Sequence, residues 1–114
     1  MMSFFKNLFK QRELDYEVLM GKGAVIVDVR TPQEFAQGHV KGSVNIPLGN
    51  IQSYIVKLKR QNKPVIACCR SGARSGSAAS ILNNAGVESY NGGSWNEVES
   101  GLKNLKLSAK ASDK

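Results

Sequence analysis

Two runs of consecutive apolar residues constrain the fold of this chain most: Ala24-Val25-Ile26-Val27, leading into Asp28-Val29, and Pro64-Val65-Ile66-Ala67-Cys68. Neither alternates apolar with polar residues, as a strand with one face in water does. Strands buried on both faces read as continuous apolar runs, and they belong to parallel sheets covered by helices on each side. Between the two runs, Thr31-Pro32-Gln33-Glu34 supplies a cap hydroxyl, a proline at the first helical position and a carboxylate in capping-box position. A short helix is expected there, stopping at Gly38. Ser43-Val44-Asn45-Ile46 reads as a short strand ended by Pro47.

Ile51, Ile55 and Leu58 share one face of a longer helix, with Tyr54 beside them, that closes in the basic run before Asn62. Ala73 to Asn84 predicts an Ala- and Ser-rich helix with Ile81 and Leu82 turned inward and Gly86 placed as its C-cap. Val87 to Tyr90 reads as the last strand, and Trp95, Val98, Leu102 and Leu105 as the stripe of the last helix. This order predicts one α/β domain with a mainly parallel central sheet flanked by helices on both faces. Ligands of such sheets bind beyond the carboxyl ends of the strands, where the second run delivers Cys68 and Cys69.

The chain's 114 residues suit a single domain, here residues 13–107, that buries a core without disulfides or a structural metal. Residues 1–12 form an N-terminal amphipathic segment and residues 108–114 a polar tail expected to fray. Phe4, Phe5, Leu8 and Phe9 are interrupted by Lys6 and Lys10, so the N-terminus lacks the continuous apolar stretch of a secretory signal. Its aromatics recur at helical spacing and are expected to pack on the domain's core, a membrane-surface helix being the alternative. No apolar run reaches membrane-spanning length. Two adjacent cysteines cannot staple distant segments, and free thiols fit a reducing cytoplasm. The expectation is a soluble, cytoplasmic monomer.

A net charge of +7 and an isoelectric point near 9.7 favour anionic partners. The lysines are scattered, without the interleaved aromatics of a single-strand-binding face, so nucleic acid is not the expected partner. His39, the only histidine, lacks nearby ligand-type residues and is assigned a structural hydrogen bond. Asp28, Arg30 and Glu34 are expected to form an ion-pair network, and Trp95 to belong to the core rather than to a pocket. Ser71 and Ser75 have no histidine base nearby and are assigned to hydrogen-bonding the loop or a bound anion.

The chain's two cysteines stand in Ala67-Cys68-Cys69-Arg70-Ser71-Gly72-Ala73-Arg74-Ser75. A strand ending at the cysteines, a tight turn at Gly72 and a helix opening near Ala73 aim unpaired backbone N–H groups at the loop's centre. The same field, with Arg70 and Arg74 close by, favours a thiolate nucleophile over a buried inert thiol. From Cys69 the count to Arg74 is Cys-x4-Arg; from Cys68 it is Cys-x5-Arg, the spacing of cysteine-dependent phosphatase loops. Against the phosphatase count stand Ala67, where those enzymes typically carry histidine, and helix-entry signals that leave Cys68 inside the strand.

Three segments carry a resemblance to the rhodanese family of sulfurtransferases, over most of the chain from about Val25 to Trp95. Asp28 to Phe35 followed by Gly38 to Pro47 resembles the family's long N-terminal signature. Cys69-Arg70-Ser71-Gly72-Ala73-Arg74-Ser75 resembles its six-residue active loop, and Gly92-Gly93-Ser94-Trp95 is similar to its C-terminal segment. The resemblance implies that Cys69 is the nucleophile, taking a sulfane sulfur from thiosulfate or a similar anionic donor as a persulfide. The sulfur then passes to a thiophilic acceptor: cyanide, a thiol or a protein thiol. Loop amides from Arg70 through Ser71, Gly72, Ala73 and Arg74 to Ser75 are expected to cradle the persulfide, with Arg70 and Arg74 steering the donor and offsetting charge on the leaving sulfite. No metal or organic cofactor is implied. A rhodanese-like module that carries sulfur for a partner protein is the alternative, and the role of Cys68 stays open.

Overall fold

The computed structural model describes residues 14–112, and the N-terminal aromatic segment lies outside them. Helix α1 (Tyr16–Gly21) opens on Asp15, whose carboxylate accepts from the Val18 amide at 3.1 Å. Strand β1 (Val25–Asp28) follows, then α2 (Pro32–Gln37) with the expected capping box between Thr31 and Glu34. Strand β2 (Val44–Asn45) is short. The longer helix expected before Asn62 is in two parts, a 3-10 segment Leu48–Tyr54 running into α3 (Ile55–Gln61). Strand β3 (Val65–Cys69), α4 (Ala73–Asn84), β4 (Ser89–Ser94) and α5 (Trp95–Ser112) complete the order.

The strands form one parallel sheet in the order β2-β1-β3-β4, with helices on both faces, as the unbroken apolar runs require. Successive side chains of a strand point to opposite faces, so β3 feeds two cores at once. Val65, Ala67 and Cys69 join Ile51, Leu58, Ala78 and Leu82 on one side. Ile66 and Cys68 join Leu19, Ala24, Val40 and Val98 on the other. This alternation decides which cysteine meets the loop and helix that follow.

Three boundaries differ from the sequence reading. Strand β4 spans Ser89–Ser94, not Val87–Tyr90. Val87 is held by the end of α4, its amide donating to the Leu82 carbonyl at 2.9 Å beyond a left-handed Gly86. The Asn83 amide then brackets Ser89 on both backbone groups. The strand runs on through Gly92, where a Cβ would lie 2.5 Å from Val98 Cγ2 and 3.0 Å from Ile66 Cγ2. Glycine there admits α5 close to the sheet. Helix α5 continues past Leu107 to Ser112, into the stretch read as a frayed tail. Among the described residues no helix is long and apolar enough to cross a membrane.

Candidate active site

Strand β3 ends on Cys69 at the carboxyl edge of the sheet, and α4 starts four residues later at Ala73. Gly72 makes that turn at φ 98° and ψ −11°, a left-handed conformation open to glycine at little cost. A Cβ there would also approach Gly93 Cα at 3.4 Å. The turn brings the Gly72 amide to 3.0 Å from Cys69 Sγ, the Ser75 amide to 3.4 Å and the Ser75 hydroxyl to 3.3 Å. The sulfur therefore faces two backbone N–H donors, one from its own loop and one from the first turn of α4, with the Ser75 hydroxyl in contact beside them.

Burial pushes the Cys69 thiol up, but bonds from the Ser75 hydroxyl and the Ser75, Gly72 and Ser71 amides favour the anion, and the net shift is downward. Cys68, one residue earlier on the opposite face, goes the other way. Its burial, reinforced by the Asp28 carboxylate and only partly opposed by Arg30, pushes its thiol up to about 12. A Cys-x5-Arg ring counted from Cys68 has its sulfur on the far side of the sheet from the loop amides. Both cysteines are free and buried.

Asn91 of β4 anchors the loop from outside. Its Oδ1 accepts from the Ser75 hydroxyl at 2.7 Å and the Gly93 amide at 2.9 Å, while its Nδ2 donates to the Gly72 carbonyl at 2.9 Å. The sequence reading does not single out Asn91; the available signal was a polar side chain immediately before Gly92-Gly93, between the last strand and the last helix.

Around the loop, Asp28, Arg30, Glu34, Arg70 and Arg74 sort into two closed pairs and one open cation. Arg30 and Asp28 form a buried bidentate pair, Nη2 to Oδ2 at 2.7 Å and Nε to Oδ1 at 2.9 Å. Arg30 also donates to the Gly38 carbonyl at 2.6 Å and to the Glu34 carbonyl at 3.3 Å. The Glu34 carboxylate does not join that pair, as the expected network has it. It reaches Arg74 instead, Oε1 and Oε2 accepting from Nη1 and Nη2 at 2.8 and 3.0 Å. The Arg74 guanidinium, with the Thr31 amide, holds Glu34 down at about 2. Arg70 is exposed and makes no hydrogen bond or ion pair among the described residues. Ser71 and Ala73 are also exposed.

His39 has the structural place expected of it, Nδ1 bonded to the Phe35 carbonyl at 2.7 Å and its ring stacked 3.7 Å from Phe35. Trp95 combines two places that the sequence reading set against each other. It packs on the second core, with Arg30 Cζ 5.1 Å from its ring centre, and it lines a groove of about 230 Å³ with Arg70, Gln37 and Asn96. Among the described residues no group of three or more His, Cys, Asp or Glu side chains is placed to hold a metal ion.

The site is thus a cysteine at the carboxyl edge of a parallel sheet, its sulfur within reach of amides from the loop and helix start that follow it, in an α/β domain. Residues 13–100 match the rhodanese-like domain, and the chain belongs to that family. It is 37% identical over 95 residues to thiosulfate sulfurtransferase GlpE of Ectopseudomonas mendocina, covering 81% of this chain and 84% of that protein. It is 42% identical over 69 residues to the uncharacterized protein YqhL of Bacillus subtilis, covering 60% of this chain and 54% of that one. Among solved structures, a rhodanese with anions from Escherichia coli is similar at a TM-score of 0.60 and 33% identity, over 65% of this chain and 89% of that one.

Proposed function

We propose that this protein is a thiosulfate-type sulfurtransferase with Cys69 as its nucleophile. The Cys69 thiolate attacks the outer sulfur of thiosulfate, the bond to the sulfonate sulfur breaks, and sulfite leaves with the electron pair. The enzyme then carries a persulfide on Cys69. A thiophilic acceptor attacks the terminal sulfur, the persulfide S–S bond breaks, and the thiolate is regenerated. The observation that supports this most directly is the surroundings of Cys69 Sγ: the Gly72 amide donates at 3.0 Å and the Ser75 amide at 3.4 Å, and the Ser75 hydroxyl lies in contact at 3.3 Å. The thiolate and the persulfide are both anions, and preorganised donors stabilise either. Cytoplasm is the compartment proposed, because it keeps thiols reduced, and the protein is proposed to act there as a monomer.

Mass spectrometry after thiosulfate treatment tests the reading. One added sulfur atom is expected at Cys69, with sulfite released in equal amount. It should persist in Cys68→Ser and vanish in Cys69→Ser. Uptake that follows Cys68, or no uptake from thiosulfate or polysulfide, overturns it. A carrier fed by a partner protein is the second reading, supported by the short, exposed side chains of Ser71 and Ala73, which leave the loop open to a partner. Loading from a protein persulfide with near-absent turnover of thiosulfate is the result that selects the carrier.

A further inference from the structure

Resting on the sulfurtransferase reading, we propose that the groove beside the loop is the acceptor site, and that it selects small organic thiols carrying a carboxylate, with Arg70 as the residue that reads the acid. The groove lies between the end of α2 and the start of α5, and its wall includes Arg70, the residue that follows Cys69 in the loop. Its electrostatics reduce to one group. The Arg30 guanidinium is spent on Asp28, and the Glu34 carboxylate on Arg74. Arg70 alone of these has no partner among the described residues, which leaves it the cation in the groove open to an anionic group.

The rest of the wall fixes the size and kind of molecule. At about 230 Å³ the groove has more room than an inorganic dianion needs and suits a thiol of a few carbons. The half-buried Trp95 ring offers a flat apolar surface for the carbon chain. Gln37 and Asn96, both exposed on the rim, offer amide groups to a polar substituent. With its carboxylate on Arg70, the acceptor thiolate attacks the terminal sulfur of the Cys69 persulfide. The S–S bond to Cys69 breaks, the acceptor leaves as a persulfide, and Cys69 recovers its thiolate.

Single-turnover transfer from persulfide-loaded protein tests this with three probes: 3-mercaptopropionate, 2-mercaptoethanol and cysteamine. Each probe's rate on wild type is divided by its rate on Arg70→Gln, which cancels the probe's own reactivity. The ratio is expected to be about fivefold larger for the acid than for the neutral thiol, and smaller for the amine than for the neutral thiol. Arg70→Glu should invert the order, and high salt should flatten it. A ratio equal for all three probes overturns the proposal. A second measurement needs no persulfide: titration of unloaded protein with 3-(methylthio)propionate, read at the Trp95 indole by NMR. An Arg70-dependent indole shift without sulfur loading keeps the organic-acid groove and removes the sulfurtransferase reading. Normal loading with no shift and no discrimination removes the groove and leaves the transferase.

Discussion

Cys68 and Cys69 are neighbours in sequence with opposite surroundings, and the reason is the period-two alternation of a strand. One side chain meets the loop amides; the other is buried near Asp28, Arg30 and Tyr16. Two separate ionisations follow. Difference absorbance of the thiolate between wild type and Cys69→Ser should titrate below the ordinary thiol range, whereas the transition remaining in Cys69→Ser should lie near 12. Ser75→Ala removes the hydroxyl that contributes most among the bonds lowering Cys69, so the Cys69 midpoint should move up. A midpoint unchanged by that substitution would show that the amides alone set the value. At this scale the loop from Cys69 to Ser75 was legible in the sequence because it is contiguous. Asn91, and the partnership of Glu34 with Arg74, were not, because contacts 16 and 40 residues apart leave no local pattern.

Among the elements, β4 is where local reading and structure part. Its sequence, Ser-Tyr-Asn-Gly-Gly-Ser, has few of the β-branched residues that advertise a strand, and its place comes from pairing with β3 and from Asn83 and Asn91. Helices α2 and α4 were legible because their stop and start signals lie within a few residues, as the Thr31–Glu34 capping box and left-handed Gly86 bear out. The role of β4 as the loop's anchor makes two predictions. Asn91→Ala strips partners from the Ser75 hydroxyl, the Gly93 amide and the Gly72 carbonyl, and should cost about 1–3 kcal/mol in urea unfolding. It should also slow sulfur uptake more than its stability loss alone explains, because the donor ring loosens. Gly92→Ala forces a methyl against Val98, Ile66 and the Ala67 carbonyl, and overpacking of this kind should cost about 1–3 kcal/mol. Substitution of Gly49, in the 3-10 segment, is a fair control, since nothing lies within 4 Å of a Cβ there. Equal losses at Gly49 and Gly92 would remove the argument from close approach.

Across the whole molecule, the parallel sheet with two covered faces was legible because burial on both sides is written into β1 and β3 themselves. The distribution of charge was not: a net charge of +7 says nothing about which cations are paired. The sequence reading gave Arg70 and Arg74 the same steering role, yet Arg74 closes a bidentate bridge between α2 and α4 while Arg70 stays open. That bridge should tie stability to pH. Glu34 lies at about 2 in the folded protein, below the roughly 4.3 of an unperturbed glutamate. A carboxylate depressed on folding stabilises fully above its unfolded value, and the contribution drains away as pH falls from about 5 toward 2. Glu34→Gln isolates the effect, because glutamine still completes the capping box with Thr31 but presents no charge to Arg74. Urea midpoints of wild type and Glu34→Gln should therefore differ at neutral pH and converge through that acid window. Salt should narrow the neutral gap, since the pair is part-exposed. A gap that stays constant from pH 7 to about 2 would mean that packing of α2, rather than the ion pair, joins it to the loop helix.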